Sequence, residues 1–352
     1  RNMDKSVRVL TENPLNAETP LAAMQSWITS NELFFKRNQE QIRSAPVALA
    51  DWQLTIEGLV ENRKILHFGD ILALPRVEIA NTLECSGNGR SLLTKEASGN
   101  PWVIGAVGNA MWGGVRLSDI LELAGVSSKA AHVAFEGMDN PESPATVKFI
   151  RSIPLAKAMD STILAYEMNG EPLPLAHGFP MRVLALGWTG ANCIKWLSKI
   201  TLLAEPYKGF FMDSVYRIFQ KGEEPSTGQV VTTIPLKSLI TWPENKAELP
   251  FGKVPIRGAA YGGEEEIVQV DISVDGGSTW HKATFVGPHQ AYAWQRWEYT
   301  WQTTKLGNHT LLSRATDASG QVQPMNANWN VLGYGNNGIL EHGVTVTVTK
   351  GP

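Results

Sequence analysis

The first half of the chain alternates short apolar runs with turns rich in glycine and proline, which predicts brief strands interleaved with briefer helices. Residues 52–60, Trp-Gln-Leu-Thr-Ile-Glu-Gly-Leu-Val, alternate as a strand, and the half-apolar run Val77–Leu83 reads as another. His67–Leu74 predicts a short helix stopped by Pro75. Ser118 is a suitable N-cap for a helix over Asp119–Leu123, with Gly125 just past its end. His132–Glu136 is a further strand, and Val183–Leu186 and Cys193–Leu197 are the last apolar runs of this half.

After about residue 225 the pattern becomes all-β. Ile267–Val274 has period two, with Val268, Val270, Ile272 and Val274 forming its apolar face, and Asp275-Gly276-Gly277 predicts a tight turn before Trp280. Trp294–Trp301, His309–Ala315 and Val344–Thr349 continue the series at the spacing of an immunoglobulin-like sandwich, with a second turn at Asp317–Gly320. The expected fold class is α+β. A mixed α/β domain over residues 1–225 begins with an irregular, surface-running arm (1–33) and is followed by a β-sandwich over 226–352.

Composition narrows the function classes. A net charge of −3 argues against a general polyanion binder, so no nucleic acid is expected. No apolar run reaches the ~18 residues of a membrane helix. Two cysteines, Cys85 and Cys193, exclude a disulfide framework, a CxxC metal cluster and a CxxCH haem attachment, so any haem is expected on another chain. The chain opens on Arg1 without an initiator Met or signal peptide, as a processed or trimmed chain would.

Candidate chemistry centres on Asn81-Thr-Leu-Glu-Cys-Ser-Gly-Asn-Gly-Arg90. A strand delivers Cys85 to a glycine-rich turn that ends in a fixed cation, Arg90, and such a setting suits a thiolate. The alternative is a small buried hydrophobe, the usual lot of a free cysteine. His177 and Arg182, joined by Gly-Phe-Pro-Met, cannot share a helix face because Pro180 lacks an N–H, yet a loop can aim both at one ligand. Arg182 offers a bidentate grip on a phosphate. Asp139 ends a strand, where an aspartate is ordinarily a turn former. Arg296, in Trp294-Gln-Arg-Trp297, reads either as a further cation for an anion or as a solvated strand residue.

These segments together resemble the sulfite oxidase family of molybdenum enzymes. Glu84-Cys-Ser-Gly-Asn-Gly-Arg90 is similar to the family's Cys-Ala-Gly-Asn-Arg-Arg segment, and Leu33-Phe-Phe-Lys-Arg-Asn38 to its Phe-x-Arg-Asn-His. The strand end at Asp139, His177-Gly-Phe-Pro-Met-Arg182, Lys195-Trp196, Tyr207-Lys-Gly-Phe210 and the Asp275-Gly-Gly-Ser-Thr-Trp280 hairpin follow in collinear order. The resemblance implies a molybdopterin cofactor with Cys85 as the one protein ligand of the metal, a soft thiolate suiting that role. It implies cofactor contacts from Phe35, Lys36, Arg37, Asn38, Gln39, Asp139, His177, Arg182, Cys193, Ile194 and Lys195. Cys193 is expected as a buried strand residue touching the cofactor through its backbone alone. Arg37, Arg90, Tyr207 and Trp102 are expected around a substrate anion, while Trp112 packs structurally.

Three departures bear on the substrate. Gln39 replaces the usual histidine, and Leu332, in Trp329-Asn-Val-Leu-Gly333, stands where animal sulfite oxidases carry an arginine that cages the anion; Gly89 also replaces a common arginine. The implied activity is oxidation of sulfite to sulfate by oxygen-atom transfer, with electrons passed to an external acceptor such as a c-type cytochrome. Sulfane sulfur oxidation, or nitrate or sulfoxide reduction, with the same cofactor is the alternative that Leu332 keeps open. A homodimer through the second domain and a bacterial periplasmic location, its leader removed, complete the expectation.

Overall fold

The computed structural model describes residues 6–40, 46–139 and 147–350. Two sheets build the first domain. In one, Glu171–Pro172, Thr162–Met168, Val107–Arg116 and Arg76–Glu84 lie in that order, all antiparallel, with Arg182–Ala185 also paired to Thr162–Met168. In the other the order is Lys64–His67, Gln53–Gly58, Leu197–Leu203, His132–Gly137 and Ile150–Pro154, and only the Gln53–Gly58/Leu197–Leu203 pair is parallel. Helices Leu117–Ala124 and Leu155–Ser161 fill the space between, burying Leu117, Ile120 and Leu121 into a core that includes Trp52, Phe135 and Ile200.

The second domain is a sandwich of a four-stranded and a five-stranded sheet. Ile256, Trp297 and Trp301 from one face meet Val270, Ile272, Leu311 and Val346 from the other. The chain therefore has the expected α+β fold, a mixed domain followed by a β-rich one.

Several local expectations shift. The helix over 117–124 is capped by Arg116 in extended conformation, not by Ser118, because the strand Val107–Arg116 runs straight into it and places Ser118 inside the first turn. The helix after His67 is only Phe68–Leu72, opened by a capping box in which the His67 N–H donates to Asp70 Oδ2 at 2.7 Å. In Ile267–Ser273 a bulge between Ile267 and Gln269 turns Val268 outward, 49% exposed, and brings Ile267 inward.

The arm carries more regular structure than expected, although its first five residues lie outside the described residues. Arg8–Glu12 and Leu15–Glu18 form a hairpin. The segment that follows wedges between the domains. Met24 is fully buried, Trp27 Nε1 donates to the Trp294 carbonyl at 3.1 Å, and Arg296 Nη1 donates to the Met24 carbonyl at 2.6 Å. Arg296 is thus neither solvated nor near an anion site: burial lowers its pKa to about 10, and its role is to tie the arm to the sandwich.

Candidate active site

Strand Arg76–Glu84 becomes fully buried toward its end and releases Cys85, partly exposed, at a domain junction. The Cys85 N–H donates to the Ala106 carbonyl and the Asn88 N–H to the Cys85 carbonyl, both at 2.9 Å, which curls the chain into a tight turn before the 3-10 helix Arg90–Leu92. Gly89 has φ +84°, and a Cβ there would lie 3.0 Å from His342 Nε2 and 3.1 Å from Asn336 Nδ2. A side chain at this position would therefore need His342 and Asn336 to give way by a few tenths of an ångström, besides holding a positive φ.

The second domain holds the turn as firmly as the first. Asn336 Nδ2 donates to the Gly89 carbonyl at 2.7 Å, the Gly335 N–H to the Ser86 carbonyl at 2.9 Å, and Arg90 Nε to the Leu332 carbonyl at 2.8 Å. Beneath it, Glu84 Oε1 accepts from Lys237 Nζ, Tyr261 Oη and Asn88 Nδ2 at 2.5, 2.9 and 3.0 Å, all four residues being buried.

Cys85 opens onto two cavities. The first, a cleft of about 790 Å³ counted with its open mouth, is lined by Phe35, Arg37, Asn38, Gln39, Asp139, His177, Arg182, Cys193, Ile194 and Lys195. Of its cations Arg182 is buried, while Arg37 and Lys195 are half-buried. Lys195 Nζ donates to the carbonyls of Arg37 and Ala176 at 3.1 and 3.0 Å and to Asn38 Oδ1, and burial holds its pKa well below the usual lysine range. Arg182 donates from Nη1 to the His177 carbonyl at 3.0 Å and from Nη2 to the Cys193 carbonyl at 3.1 Å, while its buried Nε has no partner among the described residues. Gly178, at φ +112°, lets Lys195 and Arg182 close over it, since a Cβ would sit 3.0 and 3.1 Å from theirs. Asp139 is the carboxylate of this cleft, and burial raises its pKa.

The second cavity, about 1280 Å³ with its open mouth, shares Cys85, Arg37, Gln39 and Tyr216 with the first and adds Arg90, Asn100, Trp102, Phe211, Leu332 and Tyr334. Two buried donors on its wall, Trp102 Nε1 and Asn100 Nδ2, have no partner among the described residues. Arg90 is partly committed, since Nη1 donates to the Asn100 carbonyl at 2.7 Å and its guanidinium lies 5.5 Å from the Tyr334 ring centre. Leu332 joins an apolar cluster with Phe211, Tyr216 and Tyr334.

Four expected residues are placed differently. Tyr207 lines neither cavity. Its segment is pinned by its N–H to Ser152 Oγ at 2.9 Å, and the one-turn helix Phe210–Asp213 carries the chain onward so that Tyr216, at φ +55°, faces the site. Gln39 Nε2 donates to the Tyr216 hydroxyl at 3.2 Å. Lys36 also lines neither cavity: its backbone bridges Ala17, and its ammonium turns back onto the Glu32 and Phe34 carbonyls. His177 reaches the first cleft, but burial lowers its pKa to about 3, so it is a neutral ring hydrogen-bonded to the Asn31 carbonyl at 3.0 Å. Cys193 follows the 3-10 turn Gly190–Asn192 instead of lying in a strand, and burial raises its thiol pKa. Tyr216 and Tyr334 escaped the sequence reading because no local motif flags them.

A group that fits the first cleft must be anionic at one end, to meet Arg182 and Lys195, and must offer acceptors to an unspent Arg182 N–H. Among the described residues no cluster of three or more His, Cys, Asp or Glu holds a metal, so an ion at Cys85 needs most of its ligands from such a group. A phosphorylated dithiolene pterin answers both demands. The arrangement suits a cofactor-dependent oxidoreductase, with one cysteine on the wall shared by a cation-lined cleft and a second, open cavity.

Comparison with known proteins specifies the class. Residues 42–211 match the oxidoreductase molybdopterin binding domain, and residues 228–348 the Mo-co oxidoreductase dimerisation domain. The sulfite oxidase of Arabidopsis thaliana is 35% identical, over 93% of this chain and 91% of its own length. Mitochondrial sulfite oxidase of Mus musculus is 35% identical over 93% of this chain, which spans 63% of that protein's length. The crystal structure of the sulfane dehydrogenase SoxCD from Paracoccus pantotrophus superposes with a TM-score of 0.84 at 27% identity, covering 98% of this chain and 90% of that one. The chain belongs to the sulfite oxidase family of molybdopterin oxidoreductases.

Proposed function

We propose that the chain oxidises sulfite to sulfate, adding one oxygen from water and releasing two protons and two electrons, the electrons leaving singly to an external acceptor such as a c-type cytochrome. The observation that carries this reading is the position of Cys85 on the wall shared by the cation-lined cleft and the arginine-lined cavity. When bound, the molybdenum cofactor supplies the two-electron redox centre and the oxygen-atom transfer. Arg182 and Lys195 would hold its phosphate, and Cys85 would ligate its metal. Arg37 and the uncommitted Arg90 nitrogen attract the anion, while the unpaired N–H groups of Trp102 and Asn100 offer it neutral donors. The Tyr216 hydroxyl, itself accepting from Gln39, stands at the junction and can donate to a substrate oxygen.

The test is sulfite-dependent reduction of ferricyanide and of cytochrome c by molybdenum-loaded protein. Fast turnover that collapses in Cys85→Ser and rises in KM on the order of 10-fold or more in Arg37→Met supports the reading. Full molybdenum loading with no sulfite turnover defeats it.

One observation favours a second reading. Leu332 gives the cavity an apolar wall, and the SoxCD structure is that of a sulfane dehydrogenase. Oxidation of a sulfane sulfur on the same cofactor would use that wall, and turnover of a sulfane substrate with sulfite inert would select it.

A further inference from the structure

Beneath the shared wall lies a cation that neither cavity exposes. Arg151, on the edge strand Ile150–Pro154, is fully buried. Its donors are met by neutral acceptors alone. Nη2 and Nε donate to Asn192 Oδ1 at 2.9 and 3.3 Å, Nη2 also to the Val231 carbonyl at 3.4 Å, and Nη1 to the Phe211 carbonyl. Among the described residues no carboxylate pairs with it, and the charged group near it is Arg217, another cation. Carbonyl and amide dipoles satisfy its hydrogen bonds without cancelling its charge. Burial lowers its pKa to about 10, which leaves it protonated at neutral pH.

The guanidinium lies 5.1 Å from the centre of the Tyr216 ring. Tyr334 stacks on that ring at 5.3 Å and 15°, and the Arg90 guanidinium lies 5.5 Å from the centre of the Tyr334 ring. Arg151, Tyr216, Tyr334 and Arg90 are thus linked in series with a cation at each end, and all but Arg151 line the substrate cavity. Each ring face suits the cation against it. In a low-dielectric setting, an uncancelled charge one ring away from the cavity is weakly screened.

We propose that Arg151 is a specificity residue of the substrate cavity, a buried positive charge that acts through the Tyr216 wall to select anions over neutral compounds. It touches no substrate and is a positioning and field-setting residue. The inference rests on the reading of that cavity as an anion site, and it does not depend on which sulfur compound is oxidised.

The experiment is calorimetric titration of the cofactor-loaded protein with sulfate at fixed ionic strength, for wild type and three variants. Arg151→Met removes the charge and should weaken sulfate binding on the order of 10-fold. Asn192→Asp keeps the packing and sets a carboxylate on the same guanidinium, so it should weaken binding comparably. Arg151→Lys retains the charge and should stay within a few-fold of wild type. If Arg151→Met does not fold, the Asn192→Asp and Arg151→Lys pair decides the matter. Sulfate affinity unchanged in Asn192→Asp, or lost as fully in Arg151→Lys as in Arg151→Met, overturns the proposal. A protein that binds sulfate in this pattern yet turns over no sulfite sinks the proposed reaction and leaves the role of Arg151 standing.

Discussion

Lys237 Nζ lies 2.5 Å from Glu84 Oε1, both side chains almost wholly buried, in an ion pair that spans 153 residues of sequence and joins the two domains directly below Cys85. Tyr261 and Asn88 add further hydrogen bonds to the same carboxylate oxygen. Replacing Lys237 with Met leaves Glu84 buried and uncompensated, which costs about 3–5 kcal/mol. The expected outcome is a lower urea midpoint for the whole chain, with a large part recovered in the double variant Glu84→Gln, Lys237→Met. A double variant no more stable than the single one would contradict this account.

Gly89→Ala should destabilise through two causes that can be separated. The residue would have to hold φ +84° and also push its Cβ against His342 and Asn336. Gly170 has nearly the same φ, +79°, with nothing within 4 Å of its Cβ position. Gly170→Ala therefore isolates the backbone cost, about 1 kcal/mol. Thermal melting should show a larger loss for Gly89→Ala, and equal losses would mean that His342 and Asn336 yield freely.

Stability should fall on mild acidification, and His342 supplies part of the reason. Burial, with Lys237 nearby, lowers its pKa to about 3; its Nδ1 hydrogen-bonds the Gly338 carbonyl at 2.8 Å and its Nε2 has no partner among the described residues. Because the folded value is depressed below the ordinary one near 6.5, the unfolded chain takes up the proton first. The stabilisation is complete above pH 6.5 and is lost as pH drops from there toward 3. Between pH 6.5 and 5 that amounts to about 2 kcal/mol for one such group. Urea unfolding at pH 7 and pH 5 should show this slope, and His342→Gln should remove its share whatever its effect at pH 7.

Leu332→Arg places a guanidinium on the cavity wall where the apolar cluster now sits. A charge-assisted contact of about 1.5–3 kcal/mol should lower KM for sulfite on the order of 10-fold or more, with a smaller change in kcat. The same variant should lose ground with an apolar sulfur substrate. Parallel steady-state assays read both, and a sulfite KM that does not fall would show that the new cation points away from the anion.

Much of this was readable in one dimension. Period-two apolar runs specify strands because a sheet buries alternate side chains, and the glycine-rich turn after Val77–Leu83 marks a place where a backbone must approach closely. The thiol, Arg182 and Lys195 were legible as chemistry because each sits in a segment whose local composition limits what it can do. Register was less so: one bulge was enough to exchange Val268 for Ile267 in the core.

Sequence alone therefore determined the α+β order of domains, the family and the cysteine turn, all properties carried by local pattern and collinear motifs. Only the tertiary structure decided that Tyr216 and not Tyr207 faces the cavity, that Arg90 is half spent on Leu332 and Asn100, and that Arg151 lies buried behind the wall with no carboxylate partner among the described residues. It also decided that the arm and the 330–342 segment lock the two domains onto Cys85. These facts depend on which side chains meet across long sequence separations, and no local pattern encodes the closure that brings them together.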